Sequence, residues 1–407
     1  MDDSELESLE YWNTAGESAA SYVNSKAPSL QELPDDIVVE VLVRLPVKSI
    51  LRFKCVCKAW LSLFSSKKFI NEHLNFWTHQ EDLHKLKLLL ISYPFDAFRS
   101  CSLHTVFHEP CTTAAELDYQ FKDGFATWMV GSCNGLVCNL LKNPLTLEHS
   151  LVFWNPSTRN FRELPQPKMG RQKRVHHVYG FGYNQSSDDY KVVKISYPPS
   201  HYRSVAGQVR VFSRNSNSWK RISDTNYRMA FSEKGKFAGG SLNWSVEISS
   251  GGGGSPKWGI VSFDLAGEEL RVVAEFDCGF YSPVLHVMGG CLCVLFRKVP
   301  EMRLEMWVWK EYGVAASWTA LGSICGWEAA ALLYQPEPFY LTKDGEMLFC
   351  IGGVLSVYDT KEKRLKECEI YGGRHCHQAR VYLESLISPF GCSQRRGKKR
   401  KGRLCKQ

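Results

Sequence analysis

One pattern recurs five times along the 407 residues: an apolar, strand-like run, a polar turn, then a second run led by a bulky apolar residue. The copies span 151–165 (LVFWNPSTRNFRELP), 209–223 (VRVFSRNSNSWKRIS), 260–276, 306–324 and 354–370. Aligned on Trp154, Phe212, Phe263, Val308 and Val357, they step by 58, 51, 45 and 49 residues. Each turn carries Asn, Asp, Gly, Ser or Pro, the residue types that accept turn backbones. A further strand pair precedes each copy, such as GSCNGLVCNL before the first and HVMGGCLCVLF before the fourth. Four strands every 45–58 residues form a unit too small to bury its own faces. Such units stack on copies of themselves, and closing the stack protects their sheet edges. The expectation is an all-β propeller of about six blades, with seven allowed and a stack of β-sandwiches as the alternative. Gly239-Gly240, Gly289-Gly290 and Gly352-Gly353 suit tight turns leading into inner strands. Residues 85–107 read as another outer hairpin, and 377–387 as a terminal strand able to complete the first blade and close the ring.

Ahead of this lies a helical stretch with a different period. Asp35 or Asp36 can cap a helix in which Ile37, Val41 and Leu45 share a face. Pro46 ends that helix, and a second restarts around Ser49 with Ile50, Phe53, Cys57 and Leu61 as one stripe. A third is expected over Lys67–Leu74. Three short helices over about 45 residues bury little core, so the module needs a partner or a neighbouring domain. Cys55 and Cys57 lack a second Cys/His pair at zinc-site spacing and read as packing residues.

The residues of this stretch resemble a plant-type F-box: Leu33-Pro34-Asp35-Asp36, Glu40, Arg44-Leu45-Pro46-Val47-Lys48-Ser49, Leu51-Arg52-Phe53, Cys55-Val56-Cys57-Lys58, Trp60 and Phe69-Ile70. The strand repeats resemble the F-box-associated, kelch-related region of the same plant proteins. The residues that carry this are Gly131–Leu136, Trp154–Arg159, Gly180–Tyr183, Asp188–Val193, Leu242-Asn243-Trp244 and Ser262-Phe263-Asp264. True kelch repeats carry a regular Gly-Gly and Tyr/Trp pattern in every blade, which this chain lacks. The resemblance implies docking on a Skp1-like adaptor, and through it on a cullin and RING subunit, as an SCF ubiquitin ligase. On matching positions, Leu33, Pro34, Ile37, Leu45, Pro46, Val47 and Leu51 would face the adaptor. Val56, Cys57 and Trp60 would mix domain core with interface.

The expected organisation is an acidic disordered leader over 1–27, the F-box over 28–76, the propeller over 85–390 and a basic disordered tail over 391–407. Charge follows the same division. The net charge is 50 − 42 = +8, and Cys392–Gln407 alone holds eight Lys/Arg and no acid, leaving 42 − 42 = 0 elsewhere. Arg395, Arg396, Lys398, Lys399, Arg400, Lys401 and Arg403 compose a nuclear-localisation or polyanion-binding segment, with a solubilising tail as the plain alternative. Without interleaved aromatics or a basic folded face, specific nucleic-acid recognition has no support. No apolar run approaches a membrane span and no secretory signal opens the chain, so cytoplasm and/or nucleus is expected, with reduced thiols.

Catalytic signals are sparse. His176-His177 and His375-Cys376-His377 are the close histidine sets, and neighbours on a strand point to opposite faces. Cys133 and Cys138 flank Asn134-Gly135, which reads as a tight turn. The Ser/Gly stretch 249–256 lacks the Lys-Ser/Thr of a phosphate loop. No catalytic residue, metal or cofactor is therefore expected. Arg159 could bridge strands or hold the Asp189 region. The reading is a non-catalytic substrate-recognition subunit that captures an unknown target protein with its propeller. Its rivals are a Skp1-bound scaffold that directs no degradation, and a propeller enzyme or sugar-binding module. Acids or histidines gathered in the central channel would favour the enzyme, and an aromatic shelf there the sugar binder.

Overall fold

The computed structural model describes residues 34–78, 82–92, 97–119, 125–146, 148–167, 175–198, 206–229, 234–249, 257–276, 282–298, 303–325, 337–371 and 376–391. The leader, Leu33, residues 250–256 and the basic tail from Arg395 to Arg403 lie outside them. By contacts the chain divides into two compact units, Met1–Leu45 and Pro46–Gln407.

The described part of the first unit is helix α1 (Asp35–Leu42). Its cap position is Pro34, with no side-chain bond, so neither Asp35 nor Asp36 caps it. Proline needs no cap hydroxyl to begin a helix here. Its ring fixes φ at −52°, and its carbonyl accepts from the N–H groups of Ile37 and Val38 at 2.9 and 3.1 Å. Asp36 instead occupies the first turn, where the helix dipole favours negative charge.

The second unit begins with α2 (Val47–Phe53), α3 (Lys58–Leu63) and α4 (Lys67–Thr78). Pro46 caps α2, which therefore starts two residues before Ser49. The expected stripe through Cys57 is broken, because α2 ends at Phe53. Cys57 is extended and exposed, and its Sγ caps α3 by accepting the Trp60 N–H at 3.4 Å. Cys55 is exposed too, so neither cysteine is a packing residue. What joins the three helices is aromatic. Ring centroids run Phe53–Trp60 5.2 Å, Trp60–Phe64 5.7 Å and Phe64–Phe69 5.1 Å, then continue down α4 through His73 to Trp77. That i, i+4 series carries α4 beyond the expected Leu74.

Of the 27 described strands, 24 form six four-stranded antiparallel sets, and the short strands Cys111–Thr113, Arg228–Met229 and Glu369–Tyr371 lie outside them. Blade 2 holds Ala126–Cys133, Leu136–Lys142, His149–Trp154 and Phe161–Glu163. Blade 3 holds His176–Asn184, Asp189–Tyr197, Gly207–Ser213 and Ser218–Thr225. Blade 4 holds Lys234–Ala238, Ser241–Ser249, Lys257–Asp264 and Glu269–Phe276. Blade 5 holds Val284–Met288, Cys291–Lys298, Arg303–Trp309 and Trp318–Cys325. Blade 6 holds Glu337–Leu341, Glu346–Ile351, Val354–Asp359 and Arg364–Glu367. Blade 1 takes Leu86–Ser92, Ala97–Ser102 and Ala115–Glu116 from early in the chain and Cys376–Leu383 from its far end.

The five aligned repeat residues occupy equivalent third strands in blades 2 to 6, and all are buried. The inner strands neighbour one another in cyclic order, from blade 2 through blade 6 to Cys376–Leu383 and back to blade 2. The late strand pairs antiparallel with Leu86–Ser92, with Leu89 opposite Arg380, and so closes the ring as expected. The expected 85–107 hairpin is real over its first two strands, but Leu103–His108 is helix α5 with Leu103, Val106 and Phe107 buried.

Turn chemistry varies by place. Asn134-Gly135, Gly239-Gly240 and Gly289-Gly290 all have positive φ and join the first strand of a blade to its second, as two-residue hairpins require. Gly352-Gly353 instead joins the second and third strands of blade 6. One close approach depends on glycine alone. Blades 3 and 4 merge into one nine-stranded sheet through the parallel pair Gly180–Gly235. A Cβ on Gly235 would stand 2.5 Å from the fully buried Trp244 ring.

Candidate interaction surfaces

In the helical segment the apolar residues divide into two groups. On α1, Ile37 and Val41 are 44% and 55% exposed, while Leu42 and Val43 are buried. Between α2 and the end of α3, Val56 and Leu61 are 65% and 49% exposed. Of the other adaptor-facing candidates, Pro34 and Pro46 are exposed, whereas Leu45, Leu51 and Trp60 are half-buried. Val47 is only 3% exposed and packs as core. Its place at the first residue of α2, directly after the capping proline, turns it inward with Ile50.

The helices of the second unit are tied to the ring at blade 3. Lys67, at the start of α4, pairs with Asp188 in the turn between the first two strands of that blade. Tyr183 Oη donates to Asp188 Oδ1 at 2.7 Å. Burial pushes the Asp188 carboxyl up, but the bonds from Lys67 and Tyr183 outweigh it and hold the group below its ordinary value. Asp189 is served by Ser213 and by the Asn215 N–H at 3.0 Å. Arg159 is exposed in its own turn at φ 58°, so it does not hold that region.

The same end of the ring anchors the segment that follows the closing strand. Asn155 is fully buried, and its Nδ2 donates to the carbonyls of Ser385 and Ile387 at 3.0 and 2.8 Å. Arg214 donates to the Ser388 carbonyl at 3.1 Å. The Trp-Asn-Pro motif thus does more than end a strand, a role to which its turn-forming sequence gave no clue.

At the opposite end, where the inner strands begin, the ring is lined by charge. A cavity of 160 Å³ on the axis takes residues from all six inner strands, among them Lys236, His286 and Arg380 with Phe181, Phe237 and Phe339. Lys234 and Glu337 stand on the same strands, toward their starts. Lys234 Nζ crosses from blade 4 to bond Gln378 Oε1 on the closing strand at 2.9 Å. Gln378 also accepts from the Met129 N–H at 2.8 Å and donates to the Thr127 carbonyl at 3.0 Å. Arg380 lies 3.4 Å from Glu337.

Burial and the nearby Arg380, Lys236 and Lys142 bring the Lys234 ammonium down to about 7, against a smaller opposing pull from Glu337. Burial alone would raise the Glu337 carboxyl, yet Arg380, Lys236, His286 and Lys234 hold it at about 2. Protein surrounds both side chains, yet each stays partly exposed. Burial drives His286 well below its ordinary value, leaving it neutral. Among the described residues the channel thus sets Glu337 and His286 beside Lys234, Lys236 and Arg380, together with Phe181, Phe237 and Phe339. Among the described residues no three of His, Cys, Asp and Glu converge as a metal site. Burial raises the thiols of both Cys133, to about 12, and Cys138. His176 stacks on Tyr197 while His177 faces His149, so this pair does point to opposite faces.

A second cavity, of 330 Å³, lies where the outer strand of blade 6 meets the chain after α5 and is rimmed by charged residues of both signs. No helix of the described residues is long and apolar enough to cross a membrane.

These features match known proteins over most of the chain. Residues 30–72 match the F-box domain, and residues 91–389 match the F-box associated beta propeller domain. An F-box/kelch-repeat protein of Arabidopsis thaliana is 28% identical over 372 residues, covering 89% of this chain and 97% of the relative. The F-box protein CPR1 of the same plant is 29% identical over 390 residues, covering 88% and 89% respectively. Helical F-box residues ahead of a closed ring of four-stranded blades, and relatives matched almost end to end, place this chain in the family of F-box proteins with an F-box-associated β-propeller.

Proposed function

We propose that the chain is a substrate-recognition subunit of an SCF-type ubiquitin ligase, holding a Skp1-like adaptor with its F-box helices and a target protein with its propeller. The observation that carries this reading is the set of exposed apolar side chains in the segment that matches an F-box: Ile37, Val41 and Leu61 on helices and Val56 in the turn between α2 and α3. Short helices that leave such residues in water bury them when a partner docks. Ubiquitin transfer would occur on the partner enzymes. This subunit would supply proximity, raising the effective concentration of a target lysine near a charged ubiquitin carrier.

Co-purification of the full chain with a Skp1-like protein tests the first half. Replacing Leu33-Pro34 and Leu45-Pro46 by Ala, or Ile37 by Asp, should abolish capture while the propeller still unfolds at its usual temperature. Undiminished capture by both variants would reject the adaptor assignment. Target capture is tested by comparing proteins recovered with and without proteasome inhibition. A target that accumulates on inhibition, and is ubiquitinated only when the F-box is intact, is the expected result.

A further inference from the structure

We infer that the axial channel is an anion site, taking a phosphate-sized dianion either free or as the phosphate group of a small molecule. Three cations converge there from two strands that face each other across the ring: Lys234 and Lys236 of blade 4, and Arg380 of the closing strand. Among the described residues Glu337 is the carboxylate beside them, and Arg380 engages it at 3.4 Å. At His286 the pull of Lys236 outweighs the opposing pull of Glu337, and Arg380 adds to it, so the local field favours an anion.

His286 supplies a second, independent observation. It is 1% exposed and lines the cavity, yet neither ring nitrogen has a hydrogen-bond partner among the described residues. A buried polar group without a partner costs stability, and such groups are rare unless something satisfies them. A neutral imidazole offers one N–H, which an oxyanion beside Lys236 and Arg380 would accept. The space is adequate. A single water needs only about 10–15 Å³ of such volume, and the cavity offers 160 Å³, room for a phosphate with several waters. Lys234 strengthens the case from the packing side. Burial first, and then repulsion from Arg380, weaken its charge, and a bound anion would relieve that repulsion. The inference does not depend on adaptor docking, because every residue in it belongs to the ring.

Isothermal titration of the full chain with inorganic phosphate, at fixed ionic strength set by sodium chloride, is the test. Glycerol phosphate, titrated in parallel, separates a free anion from a phosphate ester as the preferred form. Saturable binding at one site per chain is expected, together with a phosphate-dependent rise in Tm that chloride does not produce. Lys236→Met should weaken binding at least about tenfold, the loss of one charge-assisted hydrogen bond. His286→Phe should weaken it as well, and if that buried substitution prevents folding, Lys234→Met provides the second probe. The site is rejected if phosphate binds no better than chloride, or if Lys236→Met and Lys234→Met both bind as the parent protein does.

Discussion

The F-box helices and the propeller break the ordinary burial pattern in opposite directions. The helices leave Ile37, Val41, Val56 and Leu61 in water. The ring instead draws Lys234, Lys236, Arg380 and Glu337 toward its axis. Both arrangements cost free energy in the isolated chain, since apolar surface favours burial and charge favours water. On the readings proposed above, the helices await an apolar surface and the channel a polar occupant. The difference also shows how each can bear the cost. Helices α2 to α4 share one aromatic ladder, whereas the ring is closed where Cys376–Leu383 pairs with Leu86–Ser92.

Removing the closure should have the largest effect. Deleting Cys376–Leu383 strips blade 1 of its inner strand and the channel of Gln378 and Arg380. The expected outcome is loss of a cooperative thermal transition and of near-ultraviolet circular dichroism. A native-like transition in that deletion would show that closed pairing is not what supports the charged interior. Gly235→Ala is a milder probe of the same support. Its Cβ meets a Trp244 ring with no room to move, an overpacking that costs about 1–3 kcal/mol, read as a lower midpoint in urea at unchanged m.

The smallest expected effect lies at the tie between helices and ring. Lys67→Ala removes a mostly exposed ion pair and should cost about 0.2–1 kcal/mol, less at high salt. Because the folded Asp188 carboxyl is held below its ordinary 3.8, its contribution is complete above that pH. It is lost as acid takes the pH down through the lower folded value. In Lys67→Ala the acid-induced loss of stability should shrink. An unchanged acid profile would mean that Tyr183 alone sets the Asp188 carboxyl.

Much of this architecture was legible in the sequence because the repeat is written in large residues. Trp154, Phe212 and Phe263 stand at equivalent third-strand positions, and their spacing gave the blade unit directly. Blade 1 was harder to read. Its strands come from two distant stretches of chain, and α5 interrupts the pattern after the first pair. In the helices, periodicity alone ran α2 through Cys57, since it could not register a cap made by a thiol. The channel was invisible for a different reason. Residues 234, 236, 286, 337 and 380 share no local motif, and a net charge of zero outside the tail says nothing of where the charges stand. Neutrality by sum concealed a basic axis.

The closing strand also sets a clock on synthesis. Leu86–Ser92 must wait for Cys376–Leu383, some 291 residues later, before its inner edge is paired. At about 5–20 residues per second, that is about 15–60 s during which blade 1 presents an open strand edge, the kind of edge on which chains aggregate. The F-box helices leave the ribosome well before that interval ends. If the proposed adaptor docking holds, it would begin on a chain whose ring is still open and run ahead of ring closure.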